Sequence, residues 1–545
     1  MLGLMQHHPL LISSLIEHAA REHRDAQIVS LAPGAPAHRC GYADVARRAR
    51  QVAQAMRALG IREGERVGTM AWNGYRHLEL FFGVSGMGAV LHTVNPRLFP
   101  EQIAYIVSHA EDRVLCFDPG FAPLVASLAP QLTTVQHFVA MTDRAHMPEQ
   151  AIPNLLCYED LIAAHDGGFA WPDLDERAAS SLCYTSGTTG NPKGVLYSHR
   201  STLLHAATLC MTDAVGLCAR DMLFMASPMF HVNAWGTPYA CALSGASVVL
   251  PGPALDGASI YAAMKSERVT VALGVPTVWM GLQQHVAAQD LQPREDLCLE
   301  RVLVGGAAAP RAVIETFASR FGTRVLHGWG MTETSPLATI CTPQRKHADL
   351  TPDNWRARQV KQGRTLFGAE IRLVDDEGRE LPRDGKTVGH LLVRGHWIAS
   401  GYFRSEGGDI LDADDWFDTG DIATIDPDGF MQITDRAKDL IKSGGEWISS
   451  IALENAAVGH PSVAEAAVIA VAHPKWQERP LMLVVRRPGK DVGKEDLLTF
   501  LADKVAKWWL PDDVLFVDEL PHTATGKLQK MKLRELYGSH RLAGG

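Results

Sequence analysis

Apolar residues recur with two different periods over residues 1–330. Between Tyr42 and Leu59 they return every three or four positions, and Gly60 follows where a helix commonly ends, so this stretch predicts a helix. Short unbroken apolar runs are typical of strands buried on both faces; they are Arg66–Trp72, Arg113–Phe117, Val135–Met141, Ser181–Tyr184, Val269–Val275 and Arg301–Val304. This alternation predicts an α/β unit with largely parallel sheets.

The pattern changes near Arg364, where paired strands replace the alternation of helix and strand. Asp421–Ile425 and Phe430–Thr434 flank Asp426-Pro427-Asp428-Gly429, a strong turn signal, and predict a hairpin. Beyond Leu440 we expect a smaller α+β unit. Its predicted elements are the strands Val463–Ala472, Leu481–Val485 and Val514–Val517 and the helix Lys494–Trp508.

The predicted fold class is therefore α/β, with two domains. A large N-terminal α/β domain, with mixed, largely parallel sheets and a small β-hairpin-rich subdomain, would span residues 1–434. A hinge linker would span 435–440, and a small mobile α+β C-terminal domain would span 441–545. A chain of 545 residues is also too long for one hydrophobic core.

Composition and charge narrow the class of function. A net charge of -9 argues against a nucleic-acid binder, which would carry a basic face. The nine cysteines are scattered without paired or metal-like spacing, as expected of reduced thiols. The start of the chain lacks a signal-peptide pattern, and no run of about 18 apolar residues occurs. We expect a cytoplasmic protein without integral membrane association.

The densest polar segment follows the predicted strand Ser181–Tyr184. It reads Thr185-Ser186-Gly187-Thr188-Thr189-Gly190-Asn191-Pro192-Lys193-Gly194. Glycines let backbone N–H groups approach an anion, hydroxyls add donors, and Lys193 adds positive charge, so the segment suits a polyphosphate. It is not a Walker A loop, because glycine follows the lysine. The plainer alternative is a polar surface loop.

Two further segments combine an aromatic ring or a turn with a carboxylate. In His327-Gly328-Trp329-Gly330-Met331-Thr332-Glu333, after the strand Arg324–Leu326, Trp329 can offer a flat face to a base and Glu333 can hold a metal. A tight turn with a core tryptophan explains that segment equally well. In Trp416-Phe417-Asp418-Thr419-Gly420-Asp421, the last aspartate can accept ribose hydroxyls or can simply form a turn.

The last two segments lie near and beyond the proposed linker. One runs from Asp435 to Trp447 and contains paired glycines beside the tryptophan; its charges alone are compatible with a solvated linker. The other is Pro521-His522-Thr523-Ala524-Thr525-Gly526-Lys527, a loop after a strand. A single exposed lysine is usually only a solvating group, and nothing local separates the two interpretations.

Together the five segments resemble the adenylate-forming superfamily, which includes acyl-CoA synthetases, luciferase and peptide-synthetase adenylation domains. They occur in that family's order and at its approximate separations, and the resemblance covers essentially the whole chain. Pro228-Met229-Phe230-His231-Val232-Asn233-Ala234-Trp235 and Lys442-Ser443-Gly444-Gly445-Glu446-Trp447-Ile448-Ser449 look like bacterial medium-chain fatty acyl-CoA ligases and methylthiopropionate-CoA ligases.

The resemblance implies a nucleotide site and a metal site. Phosphates would be wrapped by Thr185, Ser186, Gly187, Thr188, Thr189, Gly190 and Lys193. Thr185 and Glu333 would hold Mg²⁺, and Asp421 and Arg436 would take the ribose hydroxyls. Trp329 would lie on one side of the adenine and Gly305-Gly306-Ala307 on the other, with Gly330, Met331 and Thr332 beside them.

The resemblance also implies two half-reactions. Lys527 would contact the α-phosphate and the acid during adenylation, and Asp435 and Lys438 would form a hinge. The coenzyme A step would use the region of Lys442, Gly444, Gly445, Glu446 and Trp447. His522 stands where many relatives carry arginine, which leaves the finer contacts of that loop open.

The acid pocket would be formed by His231, Trp235, Gly306, Gly330 and Trp397. Amino-acid-binding relatives place aspartate after the phenylalanine of this segment, whereas here His231 follows Phe230, so an acid without an amino group fits better. His231 is implied to be catalytic together with Lys527, Thr185 and Glu333. For His231 and both tryptophans, ordinary core packing is the alternative.

The sequence therefore predicts an ATP-dependent acid–thiol ligase that uses ATP, Mg²⁺ and coenzyme A on a short- or medium-chain acid. Methylthiopropionate and aromatic acids remain open as substrates. A stand-alone enzyme that loads a carrier protein and a non-catalytic nucleotide-binding regulator are the rival functions. A homodimer is compatible with this class, although nothing in the sequence fixes the oligomeric state.

Overall fold

Two large sheets form the N-terminal part of the protein. The computed structural model describes residues 1, 3–185, 191–443, 446–522 and 528–542, with the backbone alone at Glu446. The seven-stranded sheet is parallel except for its last edge strand. In spatial order its strands are Leu155–Cys157, His137–Ala140, Val114–Phe117, Arg66–Met70, Val90–Thr93, Ala179–Tyr184 and Gly194–Ser198.

The nine-stranded sheet has a parallel centre and antiparallel pairs at both edges. In spatial order its strands are Arg364–Thr365, Leu337–Ile340, Arg324–Gly330, Arg301–Val304, Val271–Gly274, Met222–Met225, Ser247–Leu250, Gln27–Ala32 and Ala35–Gly41. The prediction of mixed, largely parallel sheets is confirmed.

One layer of helices is shared by the two sheets. A single buried cluster joins the helices Tyr42–Ala58 and Tyr75–Gly86 to Val67 of the seven-stranded sheet and Leu223 of the nine-stranded sheet. Separate clusters cover the outer face of each sheet. The order is thus helix, sheet, helix, sheet, helix, which explains why the strands read as unbroken apolar runs.

The helices that cover the two sheets are mostly two to four turns long. They are Ile12–Glu22, Tyr42–Ala58, Tyr75–Gly86, Pro100–Ala110, Ala122–Leu128, Tyr158–Ala163, His199–Cys210, Thr237–Ser244, Gly257–Ser266, Pro276–Ala288, Pro293–Asp296, Arg311–Thr316 and Pro352–Gln359. Within the described ranges, no helix has both the length and the apolar character needed to cross a membrane.

Two smaller sheets complete the fold. The hairpin-rich subdomain is a four-stranded antiparallel sheet of Ala369–Val374, Gly389–Gly395, Phe417–Ile425 and Met431–Arg436. In the C-terminal unit the strand Gln477–Arg486 pairs with three others, and the strands are Ile441–Ser443, Glu446–Ile448, Val463–His473, Gln477–Arg486 and Asp513–Phe516. Its helices are Ser450–Val458, Lys494–Ala502 and Lys530–Tyr537.

Two element predictions need correction. The helix predicted over Lys494–Trp508 ends at Ala502, because Lys504 and Val505 both donate to the carbonyl of Leu501 and turn the chain. The strand predicted over Arg324–Leu326 continues to Gly330, because its last residues pair with Leu337–Ile340 on a new edge.

The contact between the two central helices generates a stability prediction. A Cβ atom on Gly83 would lie 2.7 Å from the carbonyl oxygen of Ala49 and 2.7 Å from Cβ of Val52, so the helices would have to separate. Gly83→Ala should therefore lower the free energy of unfolding by about 1–3 kcal/mol. Gly281→Ala is the matched control: its Cβ meets nothing within 4 Å, and it should add about 0.5–1 kcal/mol. Thermal unfolding measures both, and equal melting temperatures would contradict the shared layer.

Candidate active site

The predicted site residues follow the carboxyl ends of parallel strands. In the nine-stranded sheet the segments after Met222–Met225, Arg301–Val304 and Arg324–Gly330 supply residues 231–235, 305–307 and 331–333. In the seven-stranded sheet Ala179–Tyr184 leads directly to Thr185. Open α/β sheets bind their ligands at this edge, so both sheets present their binding edges here.

Hydrogen bonds join Thr185 and Lys193, the two ends of the predicted phosphate-binding segment. The N–H group of Thr185 donates to the carbonyl of Lys193 at 2.9 Å, and the N–H group of Lys193 donates to Oγ1 of Thr185 at 3.2 Å. Nζ of Lys193 lies 4.8 Å from the centre of the Tyr402 ring. Ser186, Gly187, Thr188, Thr189 and Gly190 lie outside the described residues.

Glu333 is a buried carboxylate held by a tyrosine. It is 6% exposed, and the hydroxyl of Tyr402 donates to its Oε1 at 2.7 Å. Burial, followed by the charge and the hydrogen bond of Glu333, raises the pKa of Tyr402 far above its ordinary value, so the hydroxyl stays protonated and donates. Tyr402 could not be predicted from the sequence, because nothing in Gly401-Tyr402 indicates a partner almost seventy residues earlier in the chain.

Asp421 joins three of the predicted segments. It is 3% exposed, its Oδ2 accepts from Nε1 of Trp329 at 2.8 Å, and its Oδ1 lies 2.8 Å from Nε of Arg436. Arg436 also donates to the carbonyl of Thr419 at 3.2 Å. The indole N–H and the guanidinium fix the carboxylate in one orientation.

Two glycines of the predicted site are required by the backbone. Gly306 has a φ of 78°, a conformation that side chains disfavour. A Cβ atom on Gly330 would collide with the carbonyl group of Pro336. Beside them the N–H group of Met331 donates to Oγ1 of Thr334, and the hydroxyl of Tyr197 donates to the carbonyl of Thr332.

The two candidate pocket tryptophans have different surroundings. Trp235 is half-buried, and its Cη2 lies 3.3 Å from the position that a Cβ on Gly305 would take. Trp397 is 3% exposed, and its Nε1 donates to the carbonyl of Leu337 at 3.2 Å. Trp397 thus has the contacts of a core residue, whereas Trp235 borders the strand ends; the pocket role of each stays a prediction.

The predicted hinge is bound to the C-terminal unit. Asp435, buried in the last strand of the four-stranded sheet, accepts from the N–H group of Ser450 at 2.7 Å and from its hydroxyl at 2.6 Å. Lys530 donates to the hydroxyl of Ser450 and lies 2.7 Å from Oε1 of Glu454. Nearby carboxylates raise the pKa of Lys530 against the opposing effect of burial, so it carries a charge.

The predicted coenzyme A region is described in part. Nζ of Lys442 lies 4.8 Å from the Trp447 ring, which is 41% exposed. Gly444, Gly445, the side chain of Glu446, and Lys527 lie outside the described residues.

The pair of Tyr402 and Glu333 generates a second prediction. Tyr402→Phe keeps the ring beside Lys193 but removes the donor to a buried carboxylate, so it should cost about 1.5–3 kcal/mol of stability. Tyr75→Phe is the control, because its hydroxyl reaches Glu159 at 3.2 Å while Arg48 and Arg76 also bind that carboxylate, so its loss should be nearly neutral. Thermal unfolding separates the two. Equal shifts would mean that the hydroxyl of Tyr402 does not hold Glu333.

Comparison with known proteins gives the family. The family model described as AMP-binding enzyme matches residues 16–403, and the AMP-binding enzyme C-terminal domain matches residues 452–527. A 3-methylmercaptopropionyl-CoA ligase of Ruegeria lacuscaerulensis is 52% identical over 98% of both chains. A medium-chain-fatty-acid–CoA ligase of Ectopseudomonas oleovorans is 51% identical over 99% of this chain and 98% of its own.

Solved structures show the same architecture. An anthranilate CoA ligase, AuaEII, in complex with anthranoyl-AMP superposes with a TM-score of 0.85 at 27% identity, over 98% of both chains. ATP-bound MatB from Rhodopseudomonas palustris superposes with a TM-score of 0.83 at 26% identity, over 97% of this chain and 99% of its own. The predicted resemblance is confirmed, and the chain belongs to the AMP-binding enzyme family.

Proposed function

We propose that this enzyme is an ATP-dependent acyl-CoA ligase that forms an acyl-adenylate and then a thioester. One observation carries the proposal: Trp329 and Arg436 both bind the buried carboxylate of Asp421. Trp329 belongs to the same strand end that leads to Glu333, and Thr185 likewise follows its own strand. Acid–CoA ligases that are 51% and 52% identical over nearly the whole chain support it.

The first half-reaction brings two anions together. A carboxylate oxygen of the acid attacks the α-phosphorus of ATP and expels pyrophosphate, so the site must neutralise charge. Lys193, the backbone donors of the phosphate loop and Lys527 serve this purpose. Asp421, oriented by Trp329, accepts the ribose hydroxyls.

Glu333 and Thr185 fit a magnesium ion. A carboxylate and a hydroxyl are the hard oxygen ligands that Mg²⁺ prefers, and Tyr402 occupies only Oε1 of Glu333. When bound, the ion neutralises phosphate charge. Tyr402 keeps the carboxylate pointed in one direction.

The second half-reaction needs a different arrangement of the C-terminal domain. The coenzyme A thiol attacks the anhydride carbonyl and AMP leaves, and a lysine on the α-phosphate would obstruct this approach. We assign the hinge to Lys438 in a linker over residues 435–440, between domains 1–434 and 441–545. Rotation there must break the bonds between Asp435 and Ser450, since these residues lie on opposite sides of the hinge.

The substrate is a carboxylic acid of short to medium length whose chain, apart from the carboxylate, carries no charge. His231 stands where an amine-binding aspartate would be needed for amino acids, and Trp235 borders the strand ends beside Gly305. Methylthiopropionate and aromatic acids remain alternative substrates, since relatives are named for the former and for anthranilate. We further propose a cytoplasmic location, in keeping with nine free cysteines, and a homodimer.

Lys527→Ala tests the two-step mechanism. Acid-dependent pyrophosphate release should fall on the order of 10²–10³-fold, because one cation is lost where charge develops. Thioester formation from supplied acyl-adenylate should survive much better. Lys532→Ala is the matched control, since this exposed lysine lies on the following helix. Equal loss in both half-reactions for Lys527→Ala would contradict the two arrangements.

The acid-length profile tests the pocket. Each methylene that finds apolar surface contributes about 0.8 kcal/mol, so kcat/KM should rise with chain length until the pocket ends. Trp235→Ala should move the optimum toward longer or bulkier acids. If Trp235 is ordinary core instead, the substitution should cost about 3–5 kcal/mol of stability and leave the profile alone. A wild-type preference for amino acids, or for the longest chains, would overturn this substrate assignment.

A further inference from the structure

Asn73 is a buried amide that joins the two sheets. It follows the strand Arg66–Met70 of the seven-stranded sheet and is 4% exposed. Its Nδ2 donates to the carbonyls of Met225 and Ser227, each at 2.8 Å, and its Oδ1 accepts from the N–H group of Met229 at 2.7 Å. The amide orientation follows from these partners, because a flipped group would set its oxygen against two carbonyls.

The three partners of Asn73 begin the segment that carries His231 and Trp235. The segment leaves the nine-stranded sheet at Met225, which ends the strand Met222–Met225. It is otherwise a connection between a strand and the helix Thr237–Ser244. Asn73 therefore ties the start of this connection to the neighbouring sheet at the carboxyl ends of their strands.

The same segment has an unusual backbone. Val232, Asn233, Ala234 and Trp235 have φ values of 43°, 46°, 51° and 59°, and Gly236 follows at 73°. Non-glycine residues disfavour this left-handed conformation, and four in succession form a left-handed turn that surrounding contacts must enforce.

A second anchor holds that turn to the seven-stranded sheet. Nδ2 of Asn233 donates to Oγ of Ser181 at 2.7 Å, and the N–H group of Val232 donates to Sγ of Cys183 at 3.1 Å. Ser181 and Cys183 lie on the strand that leads to Thr185. The segment is therefore fixed at its start by Asn73 and at its turn by Ser181.

We propose that Asn73, with Ser181 as the second anchor, is a positioning residue that sets acid selectivity. It holds the segment 228–236, whose residues 232–236 follow the left-handed path, so that Trp235 lies against Gly305. Neither anchor is assigned a contact with substrate. This inference rests on the proposed function, because it assumes that the segment borders the acid.

The test measures kcat/KM for neutral acids of increasing chain length, with the KM for ATP measured beside it. For Asn73→Ala we compare kcat/KM for the best acid with kcat/KM for an acid two methylenes shorter. The ratio of these two values should fall about tenfold, because a loosened pocket wall no longer discriminates between the acids. The KM for ATP should stay within about twofold, since the nucleotide groups are elsewhere. Ser181→Ala should change the ratio in the same direction from the other anchor.

Val286→Ala is the control for lost stability. It truncates a buried residue of the outer helix Pro276–Ala288, far along the chain from the segment, and should leave the ratio unchanged. If Asn73→Ala does not fold, the kcat/KM ratio of Ser181→Ala tests the inference in its place. A normal ratio in the folded anchor variants, or the same uniform loss as in Val286→Ala, would overturn the inference. A wild-type enzyme that forms no acyl-adenylate with any acid would instead overturn the proposed function.

Discussion

The shared helical layer is the constraint on which the site depends. Because one buried cluster serves both sheets, neither sheet can shift without opening a cavity in the packing of the other. The carboxyl ends of strands from both sheets are thereby held together, and Asn73 joins them directly. The polar groups of the site then come from positions as far apart in the chain as Thr185 and Glu333, which follow strands, and Asp421, which lies within the strand Phe417–Ile425.

Charge at the proposed site is set by individual side chains and not by the net charge of the protein. The chain carries a net charge of -9 and yet is proposed to bind a polyphosphate. The buried acids nearby are each engaged: Asp421 by Trp329 and Arg436, and Glu333 by Tyr402. Each carboxylate is held in one orientation by these partners, which limits its approach to the polyphosphate that we propose binds here.

The linker shows how the same fold can permit movement. Asp435 belongs to the four-stranded sheet, yet its Oδ2 accepts both hydrogen bonds from Ser450, the first residue of the helix Ser450–Val458. Lys530 adds a charge to this junction from another helix. Among the described residues, this junction therefore contains hydrogen bonds and an ion pair that a rotation at the linker would break.

Periodicity predicted much of the fold from the sequence. The helix over Tyr42–Leu59 was predicted within one residue of its observed end, and the strand Arg301–Val304 matches the structure. The apolar runs predicted strands correctly because strands buried on both faces must be apolar throughout. The helix over Lys494–Trp508 was predicted six residues too long, since spacing alone cannot show that the chain turns after Ala502 and leaves Trp508 45% exposed.

The candidate site was predictable only where dense polar motifs follow a strand. Thr185 and Glu333 lie in motifs of this kind and Asp421 lies in a motif at a strand start; the family resemblance then implied their roles, whereas Asn73 and Tyr402 were missed. Their partners, Met225 and Glu333, are distant in the chain, and such pairings depend on tertiary structure. Asn73 had one usable signal: it is a polar residue directly after a buried strand whose carboxyl end faces the cleft.

The two-step mechanism can be tested by the exchange of labelled pyrophosphate into ATP, with acid present and coenzyme A absent. The exchange is reversible adenylation, so we expect it to require a neutral aliphatic acid and a divalent cation and to proceed without coenzyme A. Adding coenzyme A should then yield AMP and acyl-CoA in equal amounts. Release of ADP and phosphate in place of AMP and pyrophosphate, or no exchange with any acid, would contradict the account.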